Sequence, residues 1–214
     1  VYDPPGVAFM DIVQSIAFSP DGTMVAAGGY RTLKIWVRHD NRVTSTLPVL
    51  SAIPAVVAKT ADGKLLGIGF EDGSLQVLSV AENKVISKTV AHEGGVRGVA
   101  FSADATQIVS GGVDQTVKIW NVAELAAVRT ITTPAIVNAV AIVSDGMLVA
   151  SAGEDNVVRL WNVKAPAAED AKEGEAVDVA EKPVKELKGH AARVTSLSVV
   201  SNQPELLASG RSDK

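Results

Sequence analysis

The stretch SGGVDQTVKIWNV, from Ser110 to Val122, decides the fold, because SAGEDNVVRLWNV, from Ser151 to Val163, repeats it almost phrase for phrase. Each phrase is an apolar run closed by glycine, a turn carrying Asp, and an alternating run that ends in tryptophan. Outward from these, LKIW at Leu33–Trp36 matches, as does LQVL at Leu75–Leu78, with Leu78 in the tryptophan position. Residues 36, 78, 120 and 161 are spaced by 42, 42 and 41 residues. Self-similarity at a fixed period of this size marks a supersecondary unit used repeatedly. Asp72, Asp114 and Asp155 stand six residues before the tryptophan position, and Tyr30 stands there in the first repeat.

An earlier phrase keeps the same register: IAFSPDG at Ile16–Gly22, AKTADG at Ala58–Gly63, VAFSADA at Val99–Ala105 and VAIVSDG at Val140–Gly146. Asp-Gly between two β-rich apolar runs is hairpin punctuation. Four strands per repeat follow. Strand a is expected at about 12–18, 53–59, 96–102, 136–142 and 193–199, and strand b at about 23–28, 64–70, 106–111, 147–152 and 205–210. Strand c is expected at about 31–37, 74–80, 115–121 and 156–162, and strand d at about 42–47, 84–89, 126–131 and 183–188. A lone four-stranded antiparallel sheet cannot bury both faces, so the sheets must stack around an axis.

These phrases resemble WD40 repeats, with Asn121 and Asn162 where that family often has Asp after Trp. The Gly-His that commonly opens such a repeat is present as Gly189-His190 and, altered, as Ala91-His92. The resemblance implies an all-β, WD40-type β-propeller of four-stranded antiparallel blades, incomplete within this chain. The repeats run over about 8–50, 51–90, 91–132, 133–189 and 190–214. The second lacks both tryptophan and opening His, the first lacks the Asp, and the fifth stops at Asp213-Lys214 before its tryptophan. Since the family usually closes with more blades, the chain is expected to belong to something longer. Open blade faces and sheet edges would then be covered by further chain, a second copy or another subunit.

Nearly half of the 214 residues are hydrophobic and 21 % are charged, with no long apolar run, so neither a disordered chain nor a membrane span is indicated. The net charge of −4 is concentrated: Glu169, Asp170, Glu173, Glu175, Asp178 and Glu181, against Lys172 and Lys182, account for all of it. No basic field remains to hold a phosphate backbone, which argues against nucleic acid. The same acidic segment, 164–182, is an insertion between strands c and d of the fourth repeat and is expected to form a mobile loop. Cysteine is absent, which excludes disulfides, thiolate metal sites and haem attachment within these residues. The compartment is not fixed by this composition.

Four side chains invite chemistry: His92, Ser110, Asp114 and Trp120. The family resemblance implies that they form a hydrogen-bonded chain within the blade, with Asp155 and Trp161 in the fourth repeat and His190, Ser209 and Asp213 in the fifth playing corresponding parts. Ser, His and Asp together also suggest a hydrolase, but Ser110 lies in IVSGG and not on a G-x-S-x-G elbow. A structural role is the reading adopted. His92-Glu93 begins like a zinc-protease H-E-x-x-H, yet the fifth residue is Val96, and no metal site or other cofactor is expected. Gly94 to Gly98 lacks the Lys-Ser/Thr of a phosphate loop.

What remains is surface. In a propeller the b–c and d–a loops gather on one face, where a rigid frame presents them for recognition. Tyr30, Arg31, Glu71, Arg97, Glu154, Arg193 and Arg211 fall in or beside those loops. Tyr and Arg are favoured anchors, which singles out Tyr30-Arg31. The expected function is a non-catalytic scaffold binding a protein or peptide. The alternative is a WD40 module of a larger bacterial enzyme or c-type haem redox protein whose chemistry lies elsewhere, a comparison prompted by the Ala/Val-rich blades and the acidic insertion.

Overall fold

In a computed structural model the described residues are 13, 15–19, 23–29, 32–37, 42–47, 52–143, 147–163, 182–200 and 203–212. They form four four-stranded antiparallel sheets and one two-stranded sheet. The first holds β1 (Ser15–Phe18), β2 (Met24–Gly29), β3 (Thr32–Val37) and β4 (Arg42–Leu47). The second holds β5 (Pro54–Lys59), β6 (Leu65–Phe70), β7 (Ser74–Ser79) and β8 (Lys84–Val90). β9 (Val96–Phe101), β10 (Gln107–Gly112), β11 (Thr116–Asn121) and β12 (Ala127–Thr132) make the third. β13 (Val137–Val143), β14 (Leu148–Gly153), β15 (Val158–Asn162) and β16 (Lys185–Leu187) make the fourth, and β17 (Val194–Val200) with β18 (Gln203–Arg211) the last. Every sheet is a meander in chain order, so these are the blades of a β-propeller.

The turns follow from local chemistry. Thr60 Oγ1 donates to Asp62 Oδ1 at 2.7 Å, the Lys64 amide donates to the same oxygen at 3.1 Å, and Gly63 takes a φ of 70°. Ser102, Asp104 and Thr106 repeat this pattern one blade on, at 2.6 and 3.1 Å, with Ala105 holding φ 59°. A short side-chain oxygen and one left-handed residue therefore close each hairpin. Gly73 is required for another reason. Beyond its φ of 83°, a Cβ there would lie 1.8 Å from the His92 carbonyl of the following connection.

The apolar core lies between sheets, not within one. Ala26, Leu33 and Ile35 of the first blade pack with Leu66, Ile68, Phe70 and Leu78 of the second. Leu75 and Val77 pack with Val96, Val99, Ile108 and Trp120. Val109, Val117, Ile119 and Ile131 pack with Val137, Val140, Val149 and Trp161, and Ala150, Ala152 and Val158 with Val194. The first strand of each blade touches its counterpart in the next, which puts these strands innermost.

At the start of the row the pattern breaks. Val57, Val99 and Val140, at one position of the innermost strand, are 7 %, 8 % and 6 % exposed, each packed between two blades. The first-blade residue at that position, Ile16, is 55 % exposed, and Phe18 beside it is 64 % exposed. Blade one thus shows water a face that each later blade buries against its predecessor.

The outermost strands of the first three blades are bulged. Val77 pairs Ser87 while Leu78 pairs Val85, leaving Ile86 as the extra residue; in the third blade the extra residue is Val128, and in the first it is Thr44. The bulge interrupts an edge that could otherwise pair with another chain. The residue after it reaches the next blade: Ser87 Oγ donates to the Val122 carbonyl at 3.2 Å, and Arg129 Nη1 donates to the Asn162 and Val163 carbonyls at 2.7 and 3.1 Å. Of the acidic insertion, 164–182, only Lys182 lies among the described residues.

Candidate interaction face at the mouth of the propeller

Inside the third blade a polar chain runs through the core. Trp120 Nε1 donates to Ser110 Oγ at 2.8 Å, Ser110 Oγ lies 2.7 Å from His92 Nε2, and His92 Nδ1 lies 2.8 Å from Asp114 Oδ1 and 3.0 Å from Thr116 Oγ1. One set of proton positions satisfies every member. The indole gives to the hydroxyl, the hydroxyl to Nε2, and Nδ1–H to the carboxylate. Burial pushes the His92 pKa down, against the pull of Asp114, so the neutral ring this chain needs is the favoured form. Burial alone would raise the Asp114 carboxyl, but His92, the Thr116 hydroxyl and the Glu93 amide hold it below its ordinary value. Lys118 Nζ donates to the Ala91 carbonyl at 2.6 Å and sits 5.9 Å from the Trp120 ring centre, closing the blade above the chain.

Ser110 is fully buried and accepts from an indole, so no substrate reaches it. The arrangement fixes a turn and has no access for acyl transfer. In the fourth blade Trp161 Nε1 donates to Ser151 Oγ at 2.7 Å, but Thr133 occupies the place of the histidine. Asp155 there turns to Arg159 Nη1 at 2.5 Å. In the second blade Ile68 and Leu78 take the serine and tryptophan places, both buried, so the polar pair is exchanged whole for an apolar one. His190 Nε2 lies 2.6 Å from Ser209 Oγ in the last sheet, with Asp213 outside the described residues.

The mouth of the propeller is built by a second set of bulges, at the start of the innermost strands of the second to fifth blades. Gly112 pairs Val96 and Gly111 pairs Gly98, so Arg97 falls outside the ladder. Ala55, Asn138 and Thr195 are the extra residues at the same place in the second, fourth and fifth blades. A bulge re-aims the side chain it inserts. Ala55 and Arg97 line one open depression of about 550 Å3 together with Glu71, Gly94, Gly95 and Val96. Asn138 Nδ2 donates to Glu154 Oε1 at 2.9 Å and to the Val194 carbonyl at 3.2 Å, while Arg193 Nη1 lies 3.7 Å from Glu154.

Of the residues expected at this face, Glu71 and Arg97 are thus brought together, and so are Glu154 and Arg193. Arg211 is exposed at the end of β18, where it pairs with Val194. Tyr30 and Arg31 lie outside the described residues. Gly29 pairs with Thr32 in the first blade, which leaves two residues between β2 and β3, whereas three lie between Gly112 and Thr116. Ala55, Asn138 and Thr195 were not among the expected residues. Among the described residues no group of three or more His, Cys, Asp or Glu could hold a metal ion.

Comparison with known proteins agrees with this architecture. The family model for "WD domain, G-beta repeat" matches residues 10–37, 83–121, 126–162 and 181–214. The chain belongs to the WD40 repeat family, whose propellers generally serve as protein-interaction scaffolds. It is 28 % identical over 109 residues to mouse WD repeat-containing protein 3, a match covering 51 % of this chain and 11 % of that protein. It is 29 % identical over 147 residues to mouse apoptotic protease-activating factor 1, covering 51 % and 12 %. The matched segment thus spans about a tenth of the length of these relatives. Among solved structures, a chain of the mitotic checkpoint complex superposes with a TM-score of 0.76 at 23 % identity, over 97 % of this chain and 59 % of that one, which establishes likeness of fold.

Proposed function

We propose that this chain is a non-catalytic scaffold that binds a protein or peptide across the mouth of the propeller. The observation that carries this reading is the recurrent bulge, which in four blades frees one side chain from the sheet at one place on one face. Ala55, Arg97, Asn138 and Thr195 contribute nothing to the ladder, so their identity is open to choice by a partner while the frame beneath stays fixed. Further blades or a further subunit laid against Ile16 and Phe18 are compatible with this use of the mouth, since that face is separate.

The test compares capture of partners by the wild-type protein with capture by two sets of variants. One set carries Glu71→Arg, Arg97→Ala or Glu154→Arg at the mouth, with Tyr30→Ala and Arg31→Ala added. The other carries Lys64→Glu or Thr106→Ala at the opposite end of the strands. Loss confined to the first set is expected. Loss confined to the second would move the contact to the opposite face, and capture unaffected by either would remove the proposal.

A further inference from the structure

We infer that Arg97 is the anchor for a single acidic side chain of the partner, an inference that rests on the scaffold reading above and names its chemistry. Four observations converge. First, the bulge spares Arg97 from the ladder while its neighbours Val96 and Gly98 remain paired, so the guanidinium is held at its root and exposed at its tip. Second, Arg97's own blade lacks the acid that neutralises the mouth one blade on. Glu154 opens the b–c turn of the fourth blade and takes both Asn138 and Arg193, but Val113 stands at that place in the third. Among the described residues Arg97 makes no ion pair or side-chain hydrogen bond.

Third, the space before it is kept open by the backbone. Gly94 and Gly95 hold φ of 80° and 118°, where other residues are strained, and a Cβ on Gly95 would meet the Glu71 carbonyl at 3.1 Å. With Ala55 as the other small wall, the depression admits a side chain and the extended backbone that carries it. Fourth, Glu71 lines the same depression, so the site suits one carboxylate followed by a donor or cation and not a polyanionic strand. Arginine supplies the planar fork that matches a carboxylate with two parallel hydrogen bonds.

The experiment pans a phage-displayed library of random linear peptides on the immobilised protein and measures Kd for the enriched peptides. Enrichment of Asp or Glu at one fixed position is expected, with binding weakened about tenfold by Arg97→Ala. Changing that peptide acid to its amide should weaken wild-type binding equally and leave the Arg97→Ala protein indifferent. Arg97→Glu should prefer the same peptide with Lys in place of the acid. Peptides that lose binding on Glu71→Arg or Glu154→Arg, yet carry no fixed acid and ignore Arg97→Ala, would overturn this inference and leave the scaffold reading standing. No enrichment, or enrichment of peptides indifferent to every mouth variant, would overturn both. The amide substitution in the peptide decides the matter even if an Arg97 variant is poorly folded.

Discussion

Trp120 donates its indole proton to Ser110 at 2.8 Å across adjacent strands of one blade, and Trp161 does the same to Ser151 at 2.7 Å one blade on. The two serines differ in what they hold. Ser110 also meets His92, whereas no histidine stands in the corresponding place beside Ser151. Ser110→Ala therefore strands two buried groups and Ser151→Ala one. The first should cost about 2–4 kcal/mol of unfolding free energy and the second about 1–2 kcal/mol. Urea denaturation of both variants checks the order, and equal losses would mean that His92 contributes nothing through Ser110.

Protonation of His92 undoes this arrangement, because Nε2 can then no longer accept and the Ser110 hydroxyl proton is left without its acceptor. The unfolded chain takes up that proton near 6.5, and the folded chain only at lower pH. The unfolded state thus binds more protons in that interval, so stability is intact above 6.5 and declines as pH falls through it. The slope should approach but not exceed about 1.4 kcal/mol per pH unit. Denaturation between neutral pH and mild acid measures it. His92→Gln should flatten the slope, and an unchanged slope would assign the effect to other groups.

At the opposite end of the strands, Asp62 is held by the Thr60 hydroxyl and the Lys64 amide, which together bring its pKa to about 2. Thr60→Val removes the larger influence and should raise that pKa toward the ordinary 3.8. Carboxyl resonances followed by NMR titration would report it directly. A value still near 2 in the variant would leave the Lys64 amide and ammonium as the cause.

Ile16 and Val99 hold one position in two blades, yet the first is 55 % exposed and the second 8 %. Ile16→Ser should change the stability of this chain by less than about 0.5 kcal/mol, and Val99→Ser should cost about 2–4 kcal/mol. A large loss from Ile16→Ser would show that its face is covered in solution.

Arg129 spans two blades through the Asn162 and Val163 carbonyls, where Ser87 spans the preceding pair with one bond. Arg129→Ala should lower stability by about 1–2 kcal/mol, more than Ser87→Ala, because a charged donor to two carbonyls is lost. Arg129→Lys should recover only part, since an ammonium lacks the fork. Thermal melts of the three variants rank them.

The strand order is legible in the spacing of Trp36, Leu78, Trp120 and Trp161 because each marks the same rung of a hairpin whose loops vary little in length. Leu78 stays in line although it is not aromatic, since what the rung demands is a large apolar group against the preceding sheet. The bulges at Arg97 and Asn138 are not legible in that way. An extra residue is defined only against the partner strand, and Gly111-Gly112 gives no separate sign of it. Counting six residues back from Trp36 reaches Tyr30, but two residues separate β2 from β3 where three separate β10 from β11, a difference the count does not show. Glu154 and Arg193 are far apart in sequence, and only the stacking of the fourth blade on the fifth brings them to 3.7 Å.

Each apolar cluster is owned jointly by two neighbouring blades, and none reaches a third. Damage should therefore travel only to the next blade along. Amide protons around Ile68 should keep most of their protection from exchange when the cluster holding Trp161 is emptied.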